Sequence, residues 1–451
     1  MQITELNTDG LKRTLKVTVD QTELDERFNR RIDEVKDRVQ LKGFRKGKVP
    51  IAHIKKLYGR SLMAEVLEQT VRETSSKAIS DRNERPAMQP AIDLPKDEAE
   101  IEKVISGKGD LAYEMSFEVL PEIQVTDLSS LKLERLVAQV EGEAIDEVLA
   151  DLAKRSTSYE AEEGRAAANG DRVTVDFVGK IDGTPFEGGQ DEDMAVIVGQ
   201  GNFIPGFEEG LAGLKAGDEK VVQATFPEGY PEERLAGKQA DFDVKVKEVA
   251  APKVPEINDE FAKTLGAENV DKLKELVTQQ LEREYAQAAR VKIKRELLDE
   301  LEKTHTFELP PSLVDNEFQS IWQQLQQSLD REGKTFADEG KTEDEAKEEY
   351  SKLAERRVRL GLVIGEIGDK NKIQVTQDEL RQALVEQARR YPGQEKFVYE
   401  YYEKTPGALA QLRAPIFEDK VVDFVLEQAK PAEKQVTKDE LMKALDQAAE
   451  V

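Results

Sequence analysis

The stretch Gly43-Phe44-Arg45-Lys46-Gly47-Lys48-Val49-Pro50 is the segment from which the organisation of this chain can be predicted. Two glycines bracket an aromatic residue and two cations, and a proline follows them. This composition predicts a tight exposed loop, with Pro50 at the start of the next helix. The apolar ring of Phe44 would then lie at the tip of the loop.

The charge around this loop is opposite to that of the whole chain, which carries a formal net charge of -26. From Lys36 to Arg60 there is one acidic residue, Asp37, and every other charged side chain is basic. An acidic protein that binds an anionic surface has to concentrate its cations, and a ribonucleoprotein offers both phosphates and protein pockets. A solvated basic turn on a helical hairpin would have the same charges, so charge alone leaves both interpretations open. The basic residues are Lys36, Arg38, Lys42, Arg45, Lys46, Lys48, Lys55, Lys56 and Arg60.

The pattern Gly-Phe-Arg-x-Gly-Lys-x-Pro, between two predicted helices, resembles the ribosome-docking signature of the trigger factor family of bacterial chaperones. This resemblance covers essentially the whole chain. It implies binding to the large ribosomal subunit near the exit tunnel, through a ribosomal protein and adjacent rRNA, and to unfolded nascent polypeptides. It also implies a weak homodimer away from the ribosome. The docking residues would be Gly43, Phe44, Arg45, Lys46, Gly47 and Lys48.

Length and composition exclude several kinds of protein. A chain of 451 residues is too long for one hydrophobic core and predicts about three domains. It has no cysteine, so disulfides and thiolate metal sites are excluded. It has only two histidines, which makes a zinc catalytic site or a Ser-His-Asp triad a poor explanation of its function. No signal sequence, 18-residue apolar stretch or P-loop occurs. We therefore expect a cytoplasmic protein that works without ATP, metal, cofactor or membrane.

Hydrophobic periodicity predicts an N-terminal α+β domain. Residues 11–19 and 111–119 alternate as strands, whereas 22–39 has a helical pattern with Thr22 as its cap. After the basic loop, a short helix would end near Gly59 and a longer one would run over 61–83. The sequence thus predicts a multi-domain α+β protein. Its four segments would be an α+β domain (1–112), an extended connection packing partly with the C-terminal domain (113–168), an antiparallel β domain with a short helix (169–250) and an all-α domain with arms (251–451).

Within 169–250, five short motifs resemble, in order, those of the FK506-binding prolyl isomerases. They are Val-x-Phe-x-Gly at 175–179, Phe-Glu-Gly-Gly at 186–189, Val-Gly-Gln-Gly at 198–201, Ile-Pro-Gly-Phe-Glu at 204–208 and Phe-Pro-x-x-Tyr at 226–230. Many small members of that family carry tryptophan at the position of Phe207 and tyrosine at that of Phe177. The resemblance implies a site formed by Phe177, Phe186, Glu187, Met194, Phe203, Ile204, Phe207, Tyr230 and Phe242, with Glu187 at the acidic position.

An aromatic pocket suits prolyl isomerisation because the reaction needs no proton donor. Rotation about an X-Pro amide has a barrier of about 18–20 kcal/mol, since resonance must be broken. The twisted amide is less polar than the planar one, so a water-poor slot favours the transition state. Core packing explains any single phenylalanine here equally well. Tyr230, beside two prolines, is the better candidate for a functional contact because its hydroxyl can hydrogen-bond a substrate carbonyl.

The chain beyond residue 250 has mostly helical periodicity, with one long helix over 270–303 and another beginning at Pro310-Pro311. The resemblance implies that these helices are the body and arms of a chaperone. A different function remains open, namely a free cytosolic isomerase whose helices only mediate dimerisation. General RNA binding is disfavoured because the rest of the chain is acidic and repels phosphate.

Overall fold

The computed structural model describes residues 1–36, 49–95, 97–232, 234–338, 340–405 and 407–449. The predicted docking residues 43–48 lie outside the described residues. The chain forms two compact units, and each of them is built from two separate stretches. One unit consists of Met1–Arg135 and Lys292–Glu433, and the other of Leu136–Val291 and Lys434–Val451.

The N-terminal part of the first unit contains a four-stranded antiparallel sheet in the order β1-β2-β4-β3. Alternate residues of β2 and β4 are buried, as the period-two pattern predicted. The sequence did not predict β1 because only Ile3 of its side chains is partly buried. The strands are β1 (Gln2–Asp9), β2 (Lys12–Val19), β3 (Ala91–Asp93) and β4 (Leu111–Glu118).

Three helices accompany this sheet: α1 (Gln21–Lys36), α2 (Ile51–Ser80) and α3 (Glu98–Ile105). The cap of α1 is Asp20, whose carboxylate accepts the N–H of Glu23 at 3.1 Å, so the prediction of Thr22 as the cap was wrong. The predicted break at Gly59 was also wrong, because α2 continues through it. A glycine inside a helix costs about 1 kcal/mol of stability. Buried residues of α2 on both sides of Gly59 pack against α1, and this packing contributes more than the glycine costs.

The second unit contains a β domain with a short helix, as predicted. A five-stranded antiparallel sheet runs in the order β6-β10-β7-β8, and β9 also pairs with β10. The β7–β8 hairpin turns at Asp182-Gly183, where both φ angles are positive. Before the β domain the chain forms β5 (Glu134–Ala138) and α4 (Gly142–Arg155). The elements of the β domain are β6 (Ser158–Ala161), β7 (Arg172–Ile181), β8 (Thr184–Ile197), α5 (Phe207–Leu211), β9 (Glu219–Thr225) and β10 (Gln239–Lys253).

Among the described residues after β10, the regular elements are helices apart from one short strand, which pairs with β5. The two helices predicted at residues 270 and 311 begin there. Two later helices, α9 and α10, start with capping boxes formed by Thr342 with Glu345 and by Thr376 with Glu379. The elements are α6 (Asp259–Thr264), α7 (Val270–Thr304), α8 (Pro311–Glu332), α9 (Glu343–Lys370), α10 (Gln377–Arg389), α11 (Glu395–Lys404), α12 (Ala408–Ala429), β11 (Ala432–Val436) and α13 (Lys438–Ala449).

Each unit has a helical core of its own. In the first unit, Leu297, Val363 and Ile367 are fully buried beside Val421 and Val425 of α12. In the second unit, residues of α4, α6, α7 and α13 pack together around the buried Tyr285. The four-segment division of the chain stays a prediction, and β4 spans its first boundary at residue 112.

Two glycines of α9 provide a matched test of this packing. Gly368 is buried, and a methyl group there would overlap the ring of Phe417, whereas nothing lies within 4 Å of a methyl group at Gly361. We expect Gly368→Ala to destabilise the first unit by about 1–3 kcal/mol through overpacking. Gly361→Ala should stabilise it by about 0.5–1 kcal/mol through the higher helix propensity of alanine. The urea midpoint of the helical circular dichroism signal measures both, and equal shifts of the same sign would contradict this packing.

Candidate functional site

A small cavity of about 250 Å³ opens in the β domain between the sheet, α5, the loop before α5 and the loop after β9. Its walls are mainly aromatic. It brings together eight of the nine predicted site residues, namely Phe177, Phe186, Glu187, Phe203, Ile204, Phe207, Tyr230 and Phe242. The other lining residues are Gly188, Gly189, Asn202, Phe226, Glu232 and Leu235.

The ring of Phe207 forms the floor of this cavity. It comes from the first residue of α5 and is only 2% exposed. Phe177 and Phe242, from β7 and β10, meet it edge-on with ring centroids 5.5 and 5.1 Å away, and Phe203 stacks on it at 5.6 Å. Edge-to-face contacts of this kind fix the orientation of a ring as well as burying it.

Phe186 forms one wall, and two glycines allow it to lie there. A methyl group at Gly179 would come within 2.8 Å of the Phe186 ring, and one at Gly189 within 2.6 Å. The ring meets Phe226 and Phe242 edge-on, at 5.9 and 6.2 Å. The glycines of the Val-x-Phe-x-Gly and Phe-Glu-Gly-Gly motifs therefore provide the space that this aromatic wall needs.

Tyr230 and Ile204 each bring a hydrogen-bond donor to the cavity. Tyr230 packs edge-on against Phe226 at 4.8 Å, and its backbone N–H donates to the carbonyl of Pro227. Among the described residues, neither the Tyr230 hydroxyl nor the backbone N–H of Ile204 has a hydrogen-bond partner. Both can therefore donate to a carbonyl of a bound peptide.

The remaining predicted site residue, Met194, does not line the cavity. It lies in β8, opposite Val175 of β7, and its side chain packs against the core of the domain. The pairing of β7 with β8 has a register irregularity between Val175 and Phe177. Met194 lies on one side of this irregularity, and Phe177, whose ring lines the cavity, lies on the other.

Sequence reasoning missed Glu208, which lies directly after the floor residue. Its carboxylate is buried and accepts four backbone N–H groups, from Gly199, Gly201, Asn202 and Phe203, at 2.8–3.0 Å. Burial raises the pKa of Glu208, but the four N–H donors together lower it by more, so this pKa lies below the usual glutamate value. Phe226 and Leu235 were also missed, although Glu208 and Phe226 each belong to one of the motifs.

The residues on the far side of the predicted docking loop are described. Val49 is buried, and α2 begins directly after Pro50. Lys55 donates to the side-chain oxygen of Asn29 and lies over the ring of Phe28, with its nitrogen 5.4 Å from the ring centroid. The described segment after the loop is thus a helix that carries exposed cations in its first turns.

A further exposed surface lies on α11 and the turn before it. Phe397 is 70% exposed and Tyr401, one helical turn later on the same face, is 43% exposed. Tyr391, in the preceding turn, is also exposed. These three residues are called the α11 aromatic surface below.

Two features are absent from the described part of the chain. No helix there is long and apolar enough to cross a membrane. In the same ranges, no group of three or more histidine, aspartate or glutamate side chains is arranged to hold a metal ion.

Comparison with protein families identifies all three parts of the chain. Residues 1–152 match the family described as bacterial trigger factor protein, and residues 269–427 match the trigger factor C-terminus. Residues 163–247 match the FKBP-type peptidyl-prolyl cis-trans isomerases. A trigger factor of Azorhizobium caulinodans is 51% identical over 449 residues, with 100% of both chains covered. The chain belongs to the trigger factor family.

Other relatives agree with this assignment. A trigger factor of Parvibaculum lavamentivorans is 51% identical over 98% of this chain and 86% of its own. A solved structure from work on promiscuous substrate recognition by the trigger factor chaperone matches 95% of this chain and 100% of its own, with a TM-score of 0.57. At 20% identity, that likeness supports the fold alone.

As a member of the trigger factor family, the chain is a ribosome-associated chaperone with FKBP-type prolyl isomerase activity. The predicted resemblance, fold class and activity are therefore confirmed. The alternative of a free isomerase whose helices only mediate dimerisation is not favoured.

Proposed function

We propose that the aromatic cavity of the β domain is the site of prolyl isomerisation. What carries this proposal is the ring of Phe207, which is buried as a floor and held edge-on by Phe177 and Phe242. A proline ring seated on this floor would leave its amide among Phe186, Phe203 and Ile204, where few polar groups solvate the planar form. The twisted amide loses less solvation there, so the cavity binds it in preference to the planar amide.

The polar groups at the mouth orient the substrate. In this proposal the Tyr230 hydroxyl and the Ile204 N–H donate to carbonyls of the bound peptide. These hydrogen bonds hold one side of the X-Pro amide in place while the other side rotates about the C–N bond. The carboxylate of Glu187 is exposed at the rim, where it faces the polar backbone of the peptide. Met194 acts indirectly, through the core of the domain, because it does not line the cavity.

We further propose that residues 43–48 dock the chain at the tunnel exit, on a ribosomal protein and adjacent rRNA. The support is the excess of cations between Lys36 and Arg60 in a strongly acidic chain, together with the family assignment. Phosphate attracts this one segment and repels most of the remaining surface. The protein would work in the cytoplasm without ATP, and a weak homodimer would form away from the ribosome.

The α11 aromatic surface is proposed to bind nascent chains and keep them in an open conformation. Phe397 and Tyr401 are both exposed on one face of α11, and their rings lose unfavourable contact with water when they cover an apolar unfolded segment. The charged residues beside them, including Lys396 and Glu403, keep the surface soluble between clients. Aromatic contacts of this kind require no fixed sequence in the bound segment.

For the isomerase site, we expect Phe207→Ala to lower kcat/KM for a prolyl peptide at least about tenfold, because the floor is lost. Loss of one hydrogen bond in Tyr230→Phe should lower it about three- to tenfold, since such a bond contributes about 1 kcal/mol. Protease-coupled assays on the full chain measure both, with Tyr159→Phe of the same domain as the control. Unchanged turnover in folded Phe207→Ala and Tyr230→Phe would show that the reaction occurs elsewhere.

For docking, the triple variant Phe44→Ala/Arg45→Ala/Lys46→Ala should lose most ribosome co-sedimentation at moderate salt. It should keep full isomerase activity, because the β domain is unaltered. The control Lys12→Ala/Lys16→Ala removes two exposed cations from the same part of the chain and should still co-sediment. Equal binding of the triple variant and the control would contradict the docking proposal.

For client binding, Phe397→Ser/Tyr401→Ser should weaken suppression of the aggregation of a denatured protein several-fold. Ribosome binding and peptide isomerisation should stay unchanged, and so should stability, because both side chains are exposed. The control Lys396→Ser/Glu403→Ser alters the same helix without removing an aromatic ring or changing the net charge. Light scattering during dilution from denaturant gives the readout, and equal suppression by the two double variants would refute this role.

A further inference from the structure

Glu208 differs from the other buried carboxylate in the described part of the chain. Asp171 is also almost completely buried, but Arg165 neutralises it through two hydrogen bonds. Within the described residues, no cation lies within ion-pair distance of Glu208, which is 4% exposed. A buried charge is costly unless it is well solvated by donors. Here the donors are backbone N–H groups of a single loop.

That loop, residues 199–203, leads directly into the wall of the cavity. One oxygen of Glu208 accepts the N–H groups of Gly199 and Gly201, and the other accepts those of Asn202 and Phe203. Gly199 and Gly201 both have positive φ angles, at which glycine is favoured. Glycine residues allow the loop many backbone conformations. The Glu208 carboxylate restricts the loop to one of them through these four hydrogen bonds.

We propose that Glu208 is a positioning residue for isomerisation, whose carboxylate holds the 199–203 loop so that Phe203 and Ile204 face the cavity. This inference rests on the proposal that the cavity is the site of the reaction. Glu208 itself does not line the cavity, so it acts through the loop and does not contact the substrate. Phe203 stacks on the floor residue Phe207, and the Ile204 N–H is one of the two donors at the mouth.

Glu208→Gln removes the negative charge and one of the two acceptor oxygens while the shape of the side chain stays nearly constant. Its carbonyl oxygen can still accept two N–H groups, but its NH₂ group would face the other two donors. One pair of loop N–H groups is then left without an acceptor. The loop should populate other conformations, and only part of the protein then binds substrate at any moment.

The first readout is hydrogen exchange. In the full chain, Glu208→Gln should accelerate amide exchange in peptides that contain residues 199–203, while exchange in β7 and β10 stays as in the parent protein. The second readout is kinetic. A reduced fraction of competent protein raises the apparent dissociation constant in proportion, so we expect KM to rise about five- to twentyfold while kcat changes less than twofold.

Glu209→Gln is the matched control. It removes the same charge one residue along. Among the described residues, this exposed carboxylate accepts one N–H group, that of Gly206, and an amide oxygen can replace it as the acceptor. Exchange of the loop and KM should stay near parent values. Glu208→Asp keeps both oxygens on a shorter side chain, so it should give intermediate effects and serves as the test if Glu208→Gln does not fold.

Two outcomes would overturn the inference. Parent-like loop exchange and KM in Glu208→Gln would show that the carboxylate does not hold the loop. A lower melting temperature with unchanged KM in the folded protein would reduce Glu208 to a packing role. If Phe207→Ala and Tyr230→Phe slow isomerisation and Glu208→Gln does not, only this inference fails. If none of the three slows it, the assignment of the cavity itself fails.

Discussion

The edge-on packing of Phe207 against Phe177 and Phe242 is the interaction on which the β domain and its proposed activity both depend. These three rings come from α5, β7 and β10, so one aromatic cluster joins the helix to the sheet. Because it is buried, the cluster contributes to the core of the domain. Because one side of it opens into the cavity, it also presents a rigid apolar floor to a ligand.

This double use resolves the question that the sequence left open, whether these phenylalanines pack a core or line a pocket. Phe207 does both, since its ring is almost fully buried and still lines the cavity. Phe186 lines the cavity from the other side, with Gly179 and Gly189 giving it room. An aromatic cavity of this kind can favour a twisted amide without any group that transfers a proton.

Periodicity and motif order predicted much of the fold and of the candidate site. The strands β2 and β4 alternate cleanly because one face of each is buried, and eight of the nine expected residues meet at one cavity. The errors have physical causes. A polar edge strand such as β1 carries no alternation, and packing carried α2 through Gly59. The role of Met194 stays a prediction, and its half-buried side chain packs against the core beside the register irregularity before Phe177. Glu208 belongs to the Ile-Pro-Gly-Phe-Glu motif, but its role was not predicted, because a buried carboxylate that binds backbone N–H groups has no partner side chain in the sequence.

The most direct test of the central claim is to locate a bound proline. A peptide that carries a photoreactive proline analogue, irradiated with the full chain, would mark the residues around the ring, and mass spectrometry would identify them. We predict adducts at Phe203, Phe207 and Tyr230, which are lost when an unlabelled prolyl peptide competes. Adducts confined to the helices α10–α12, with none in the β domain, would contradict the claim that this cavity is where the prolyl bond turns.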